Sequence, residues 1–246
     1  MKIEYKKPEI TVDNIDLFTY TNAKEIKGEI KAILFDFHGL GSTELKKNSS
    51  DFDLRMAENN ILVIFPFYGP WSWMNSTAVK YVDTILEVVA EKYKLDLDKI
   101  KIISCGGSMG GLSALVYSKY AKRTPCACFA NCPVCDLKYH MFEREDLPRT
   151  IYLAFMDSPD GLEKAIENNS PYHIAKDMPN IPYVILHGDH DSAVNKGIHS
   201  DRFVEQMRKY GKDVTYIEVP GMEHCYFGGH EKERELFLLK IIEASK

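Results

Sequence analysis

A single serine within a run of glycines, Gly106-Gly107-Ser108-Met109-Gly110-Gly111, is the feature that most constrains the fold of this chain. An apolar run at 100–104 precedes it and another at 112–120 follows it, which predicts a strand, a turn and a helix. A residue on so sharp a turn has a strained backbone, and only small neighbours let the strand and the helix approach. A phosphate-binding turn is the other interpretation, but the Lys-Ser/Thr pair of a P-loop is missing.

Other apolar runs are short and bounded by turn residues, as in the buried strands of a parallel sheet. They lie at 32–37, 61–66 and 183–186, with further candidates at 127–134 and 214–219 and an alternating, antiparallel edge strand at 9–20. Helical spacing is clearest at 77–93, recurs in Phe203, Met207 and Tyr210, and ends the chain at 231–245. Strands that alternate with helices predict an α/β fold with a mostly parallel central sheet and helices on both faces.

No repeat, low-complexity tract or linker divides the chain, so we expect one domain over residues 1–246. The stretch at 136–182 is too long for one crossover helix and contains five prolines. It is expected to form a small inserted lid together with a helix.

Charge and hydropathy exclude several classes of protein. The 246 residues carry 31 Lys and Arg against 36 Asp and Glu, a formal net charge of −5, which argues against a nucleic-acid partner. The longest apolar run, 61–68, is far shorter than the ~18 residues of a membrane helix, and we expect no membrane association. The first residues do not resemble an export signal, so a cytoplasmic protein with free thiols is expected.

A serine hydroxyl needs a base to take its proton and a carboxylate to orient that base. His224 follows the predicted strand at 214–219, and two aspartates, Asp189 and Asp191, follow the strand at 183–186. The carboxyl ends of parallel strands are where open sheets build their sites. The spacing alone leaves both aspartates as candidates for the acid.

The segment His38-Gly39-Leu40-Gly41 follows the predicted strand at 32–37. A backbone N–H from this segment, together with that of Met109, is a candidate oxyanion hole.

These segments together resemble an α/β-hydrolase of the prolyl oligopeptidase and dienelactone hydrolase-like branch, over nearly the whole chain from His38 to His224. The resemblance implies Ser108 as nucleophile, Asp191 as the acid of a D-x-x-V segment and His224 as general base. It also implies that Leu40 and Met109 supply the oxyanion N–H groups, and that no cofactor or metal is needed. Asn195 stands where this family usually has proline.

Two alternatives involve metal ions. Four thiols, Cys126, Cys128, Cys132 and Cys135, invite a structural zinc site, but the first two belong to one face of a strand and suit buried small hydrophobes better. A metal site from His187, Asp189, His190 and Asp191 is the second, and it would leave the glycine-rich turn unexplained. We expect Cys105 and Cys225 to pack beside the site.

Aromatic residues cluster near the predicted site. Trp71 and Trp73 lie in a Gly-Pro loop after the strand at 61–66 and, with His38, are the candidates for substrate contact. Others lie in the insert: Tyr139, Phe142, Tyr152, Phe155 and Tyr172. The resemblance and these residues together predict a serine esterase for small to medium acyl groups, aromatic acyl groups such as hydroxycinnamate included. A peptidase acting on short peptides and a non-catalytic binding protein are the alternatives.

Overall fold

The computed structural model describes residues 9–226 and 229–243. Within them, one seven-stranded sheet has the strand order β1-β3-β2-β4-β5-β6-β7. The strands are β1 (Thr19–Thr21), β2 (Ala32–Phe37), β3 (Ile61–Pro66), β4 (Lys101–Gly107), β5 (Ala127–Asn131), β6 (Tyr183–Gly188) and β7 (Val214–Val219). Only β1 runs antiparallel to its neighbour, and the other pairs are parallel.

Helices occupy the connections between these strands. They are α1 (Asp51–Glu58), α2 (Ser76–Tyr93), α3 (Met109–Tyr120), α4 (Leu137–His140), α5 (Leu147–Phe155), α6 (Leu162–Asn168), α7 (Pro171–Ile174), α8 (Arg202–Lys209) and α9 (Glu231–Glu243). Asn75 caps α2 by accepting a hydrogen bond from the Ala78 N–H, and Lys94 ends the helix in the left-handed conformation.

The sheet separates two apolar cores. Alternate residues of each strand face opposite sides, so Leu34 of β2 packs in one core and Phe35 in the other. Helices α1 and α9 cover the first face, where Phe52 and Leu238 are buried. The second face is covered by α2, α3, α8 and the helices of the insert. This is the α/β-hydrolase arrangement that the sequence predicted, with helices on both faces.

The parallel register brings the functional segments to one edge. Phe37 pairs with Gly106 and Gly107 pairs with Asn131 at the carboxyl ends of three neighbouring strands. The loops that follow β2, β4, β6 and β7 therefore leave the sheet on the same side.

Several predicted boundaries were wrong. The edge strand predicted at 9–20 is reduced to Thr19–Thr21, because a short 3-10 helix forms at Ile15–Leu17. The strand predicted at 127–134 ends at Asn131, and the helix predicted from residue 112 begins at Met109. The C-terminal helix is described to Glu243, and residues 244–245 of that prediction lie outside the described residues.

The segment at 136–182 forms four short helices, α4 to α7, where the sequence analysis expected one helix together with a lid. Its apolar side chains belong to the main core, where Leu137, Leu147, Ile151 and Ile166 are buried. Its role as a lid stays a prediction. No helix among the described residues has the length and hydropathy needed to cross a bilayer.

Candidate active site

Ser108 lies between β4 and α3 with φ 58° and ψ −125°, a conformation that side-chain-bearing residues rarely adopt. Two glycines, each two residues from Ser108, lie where no side chain would fit. A Cβ on Gly106 would lie 2.4 Å from the carbonyl oxygen of Gly110, and one on Gly110 would lie 2.1 Å from the carbonyl oxygen of Phe37. The glycines therefore let α3 begin against the ends of β2 and β4, and the turn presents Ser108 above the sheet.

Three side chains from three loops form one hydrogen-bonded chain. The Oγ of Ser108 lies 3.0 Å from Nε2 of His224, and Nδ1 of His224 lies 2.7 Å from Oδ2 of Asp191. The serine hydroxyl can therefore donate to the imidazole, whose other nitrogen donates to the carboxylate. The Asp191 side chain is fully buried, whereas that of His224 is 28% exposed.

Further donors hold the Asp191 carboxylate. Its Oδ1 accepts hydrogen bonds from the backbone N–H groups of Ala193 and Val194, both at 2.9 Å. Burial raises the pKa of Asp191, but the hydrogen bonds from His187, His224 and Val194 outweigh it and hold this pKa well below its usual range. The carboxylate is therefore charged at neutral pH.

A second histidine, His187, shares that carboxylate. Its Nε2 lies 3.1 Å from Oδ2 of Asp191 and 3.2 Å from the carbonyl oxygen of Val194. Both neighbours are acceptors, so Nε2 carries the proton, and Nδ1 accepts from the hydroxyl of Ser200 at 2.6 Å. The sequence analysis placed His187 only in a hypothetical metal site. His187 is the penultimate residue of the buried strand β6 and lies four residues before Asp191. This position was the sequence signal for a supporting role.

Two thiols adjoin the imidazole. The Sγ atoms of Cys132 and Cys225 lie 3.2 Å apart, and a Cβ on Gly107 would lie 3.3 Å from Sγ of Cys225. Burial raises the pKa of Cys132, whereas the hydrogen bond from Cys132 and the neighbouring His224 lower that of Cys225. Burial lowers the pKa of His224, but Asp191 and Cys225 outweigh it and raise this pKa.

The loop after β2 adjoins the turn that carries the serine. Met109 is the first residue of α3, a position whose N–H has no acceptor within the helix. Leu40 is half-buried in this loop. Two hydrogen bonds hold the loop: the N–H of Gly41 donates to the backbone carbonyl of Pro70, and the hydroxyl of Tyr68 donates to the backbone carbonyl of His38. Leu40 and Met109 remain the predicted oxyanion donors.

The sequence model of the prolyl oligopeptidase family matches residues 74–241, well over half of the chain. The chain belongs to the prolyl oligopeptidase family. This family places the chain in the serine hydrolase superfamily. No curated protein sequence gives a significant match.

Solved structures of this superfamily share the fold. A puromycin-hydrolysing peptidase of Mycobacterium tuberculosis superposes with a TM-score of 0.70 at 18% identity, over 89% of this chain and 35% of its own. Esterase B of Lactobacillus rhamnosis gives 0.68 at 14%, over 89% and 77%. An S-formylglutathione hydrolase of Agrobacterium tumefaciens gives 0.68 at 16%, over 87% and 84%. This prolyl oligopeptidase family member thus spans about a third of the peptidase and most of the two smaller proteins.

The two tryptophans of this family member have different environments. Trp71 is 51% exposed and follows Pro70, which binds the loop at Gly41. Trp73 is fully buried in the core, its ring packs against His140, and its Nε1–H donates to Thr150. The prediction that Trp73 contacts substrate is therefore corrected, because its indole is part of the packing beneath the insert.

His38 is also buried, with 4% of its surface exposed. Its ring stacks on Tyr68 with 4.0 Å between ring centroids, and its Nδ1 lies 3.0 Å from the carbonyl oxygen of Gly39. These contacts shape the loop that carries Leu40. Contact between His38 and substrate stays a prediction.

Asp189 does not join the hydrogen-bonded chain. Its Oδ1 accepts from the N–H of Gly221 at 2.6 Å, so it ties the loop after β6 to the loop that carries His224. A Cβ on Gly188 would lie 2.0 Å from the carbonyl oxygen of Met222, which shows how closely these loops approach.

Neither metal site of the sequence analysis assembles among the described residues. The thiols of the four cysteines at 126, 128, 132 and 135 do not come together, and the histidines and aspartates of 187–191 do not either. Cys105 is buried, and Cys225 is exposed beside His224.

Proposed function

We propose that this protein is a serine esterase that acts through Ser108, His224 and Asp191. The observation that carries the proposal is the continuous hydrogen-bonded chain from the buried Asp191 carboxylate through His224 to the hydroxyl of Ser108. That order of acid, base and nucleophile is the one that acyl transfer requires.

The chemistry follows from the geometry. Nε2 of His224 takes the hydroxyl proton as Oγ of Ser108 attacks the ester carbonyl carbon, and the carbonyl π electrons move to oxygen. The N–H groups of Leu40 and Met109 stabilise that oxyanion. The imidazolium, stabilised by Asp191, gives its proton to the leaving alkoxide, and an acyl-Ser108 remains. Water then attacks the acyl group by the same steps, with His224 again as base.

Two considerations support an ester over a peptide. An alkoxide is a better leaving group than an amine, so an ester makes smaller demands on leaving-group protonation. Two neighbours matched over most of their own length are an esterase B and an S-formylglutathione hydrolase. Membership of the prolyl oligopeptidase family favours the second candidate, a peptidase acting on short peptides.

A fluorophosphonate probe tests the nucleophile. It should add once to the protein at Ser108, because an activated serine attacks phosphorus as it attacks a carbonyl carbon. Intact-mass and peptide mapping locate the adduct, and Ser108→Ala is the control. Failure of the native protein to react, or equal labelling of the variant, would refute the proposal.

A parallel panel of acetate, hydroxycinnamate and aminoacyl-amide substrates separates esterase from peptidase. Fast amide cleavage with little activity on any ester would favour the peptidase.

Trp71→Ala tests whether Trp71 contacts the acyl group of the substrate. We expect its KM for a hydroxycinnamate ester to rise about tenfold, equal to about 1.4 kcal/mol, with a smaller change for an acetate ester. We expect its half-exposed indole to contact the larger acyl group and not the acetyl group. Trp73→Ala is the matched control, and it should instead reduce the free energy of unfolding by about 3–5 kcal/mol. Equal KM changes for both esters in Trp71→Ala would show that Trp71 does not contact the acyl group.

A further inference from the structure

One ligand atom each from Cys132, His224 and Cys225 lies within 4.8 Å of the other two. Two thiolates and an imidazole are the donors of structural and catalytic zinc sites. Cys225 is exposed and His224 partly exposed, so the cluster is open to solvent at these two residues, while Cys132 is buried.

We infer that Cys132, Cys225 and Nε2 of His224 form an inhibitory binding site for a thiophilic divalent cation such as Zn²⁺. The spacing suits such an ion. Two thiolates bound at 2.3 Å to a tetrahedral zinc lie about 3.8 Å apart. The Sγ atoms are 3.2 Å apart, so they need to separate by about half an ångström. A water molecule completes the four ligands.

The orientation of His224 also suits a metal ligand. Imidazoles that bind zinc donate their second N–H to a carboxylate, which fixes the tautomer and strengthens the donor nitrogen. Nδ1 of His224 lies 2.7 Å from Oδ2 of Asp191, so Nε2 is left with its lone pair directed away from the carboxylate. The acid that prepares His224 as a base thus prepares it equally as a ligand.

Binding would exclude catalysis. The two thiols release their protons to solvent, and the neutral Zn(S⁻)₂(His) centre holds the Nε2 lone pair that otherwise accepts the proton of Ser108. The ion therefore acts as a competitive block of the base. The inhibition rests on the proposed function, whereas the binding does not.

Another cluster, formed by His140, Glu143 and His199, brings its ligand atoms equally close. Here the hydrogen bonds argue against a metal. Nδ1 of His199 accepts from the N–H groups of Cys135 and Asp136, so its Nε2 carries the proton and donates to Glu143 at 2.8 Å. The nitrogen that faces the cluster thus has no lone pair for a cation.

Cobalt absorption tests the site directly. Ser108→Ala protein, reduced and freed of metal, should bind one Co²⁺ with the intense visible bands of a tetrahedral ion and the near-ultraviolet charge-transfer bands of thiolate ligands, and Zn²⁺ should abolish both. Adding Cys225→Ser or Cys132→Ser should weaken Co²⁺ binding at least 10-fold, because loss of even an outer-shell partner of a metal ligand costs about 10-fold to 100-fold. Cys126→Ser, an equal change outside the cluster, should leave it unchanged. Weak octahedral bands, or equal spectra in all the variants, would overturn the inference.

Inhibition is then measured with the active protein under reducing conditions. Zn²⁺ should inhibit ester hydrolysis, EDTA should restore it, and Cys225→Ser should need at least tenfold more Zn²⁺ for half-inhibition. Inhibition that requires an oxidant and survives EDTA would be disulfide formation and would overturn the zinc site. If no ester is hydrolysed but the cobalt spectrum is tetrahedral, the site stands and the proposed function fails.

Discussion

Ser108→Ala should lower kcat for ester hydrolysis by about 10⁶, because the nucleophile and its acyl intermediate are both lost. His224→Ala should cost about as much, since the Ser108 hydroxyl lies 3.0 Å from the imidazole that takes its proton. The double variant should be no slower than either single variant, because residues that act as one unit are not additive. Steady-state kinetics with active-site titration measures all three.

The fold must be retained for this comparison, and circular dichroism with thermal unfolding provides that check. Ser108 has a strained backbone, so alanine at this position keeps the same strain and should not collapse the turn. Independent losses that multiply in the double variant would contradict the proposed triad.

Asp191→Asn should lower kcat by about 10⁴, whereas Asp189→Asn should change it only slightly. An amide nitrogen facing Nδ1 of His224 turns the imidazole to the wrong tautomer, with its proton directed at Ser108. In Asp189→Asn the amide oxygen can still accept from the N–H of Gly221. Steady-state kinetics of the two variants measures the contrast. Each variant replaces one carboxylate oxygen by an amide nitrogen, at positions two residues apart. A larger loss of kcat in Asp189→Asn than in Asp191→Asn would show that Asp189, and not Asp191, is the acid of the triad.

The sequence predicted the parts of this fold that depend on local pattern. The runs at 32–37 and 61–66 match β2 and β3, since a buried parallel strand is apolar on both faces. The candidate at 214–219 matches β7, although this edge strand is buried only at Val219. The turn at Ser108 was predictable because only glycine fits at positions 106 and 110 on either side of it. Helix α1 was missed although Ser50 and Asp53 form a capping box at its start. Its few apolar residues were too weak a signal without that cap.

The remaining features depend on tertiary packing. Helices α4 to α7 have four to nine residues each, too short to be stable alone, and they form because their apolar side chains join the main core. Trp71 and Trp73 are two residues apart, and nothing in the sequence separates the half-exposed ring from the buried one. The pairing of Cys132 with Cys225 spans 93 positions and needs the sheet to bring them together.

The edge position of β7 bears on how the protein is made. Ser108 precedes His224 by 116 positions, and the loop with His224 follows β7, which pairs with β6 alone among the strands of the described residues. Because a nascent chain emerges from its amino end, the ribosome delivers the nucleophile well before the base. On the proposed function, Ser108 stays an ordinary alcohol until β7 docks and brings His224 within hydrogen-bond distance of it. We therefore expect the nascent chain to become reactive toward esters only after β7 has joined the sheet.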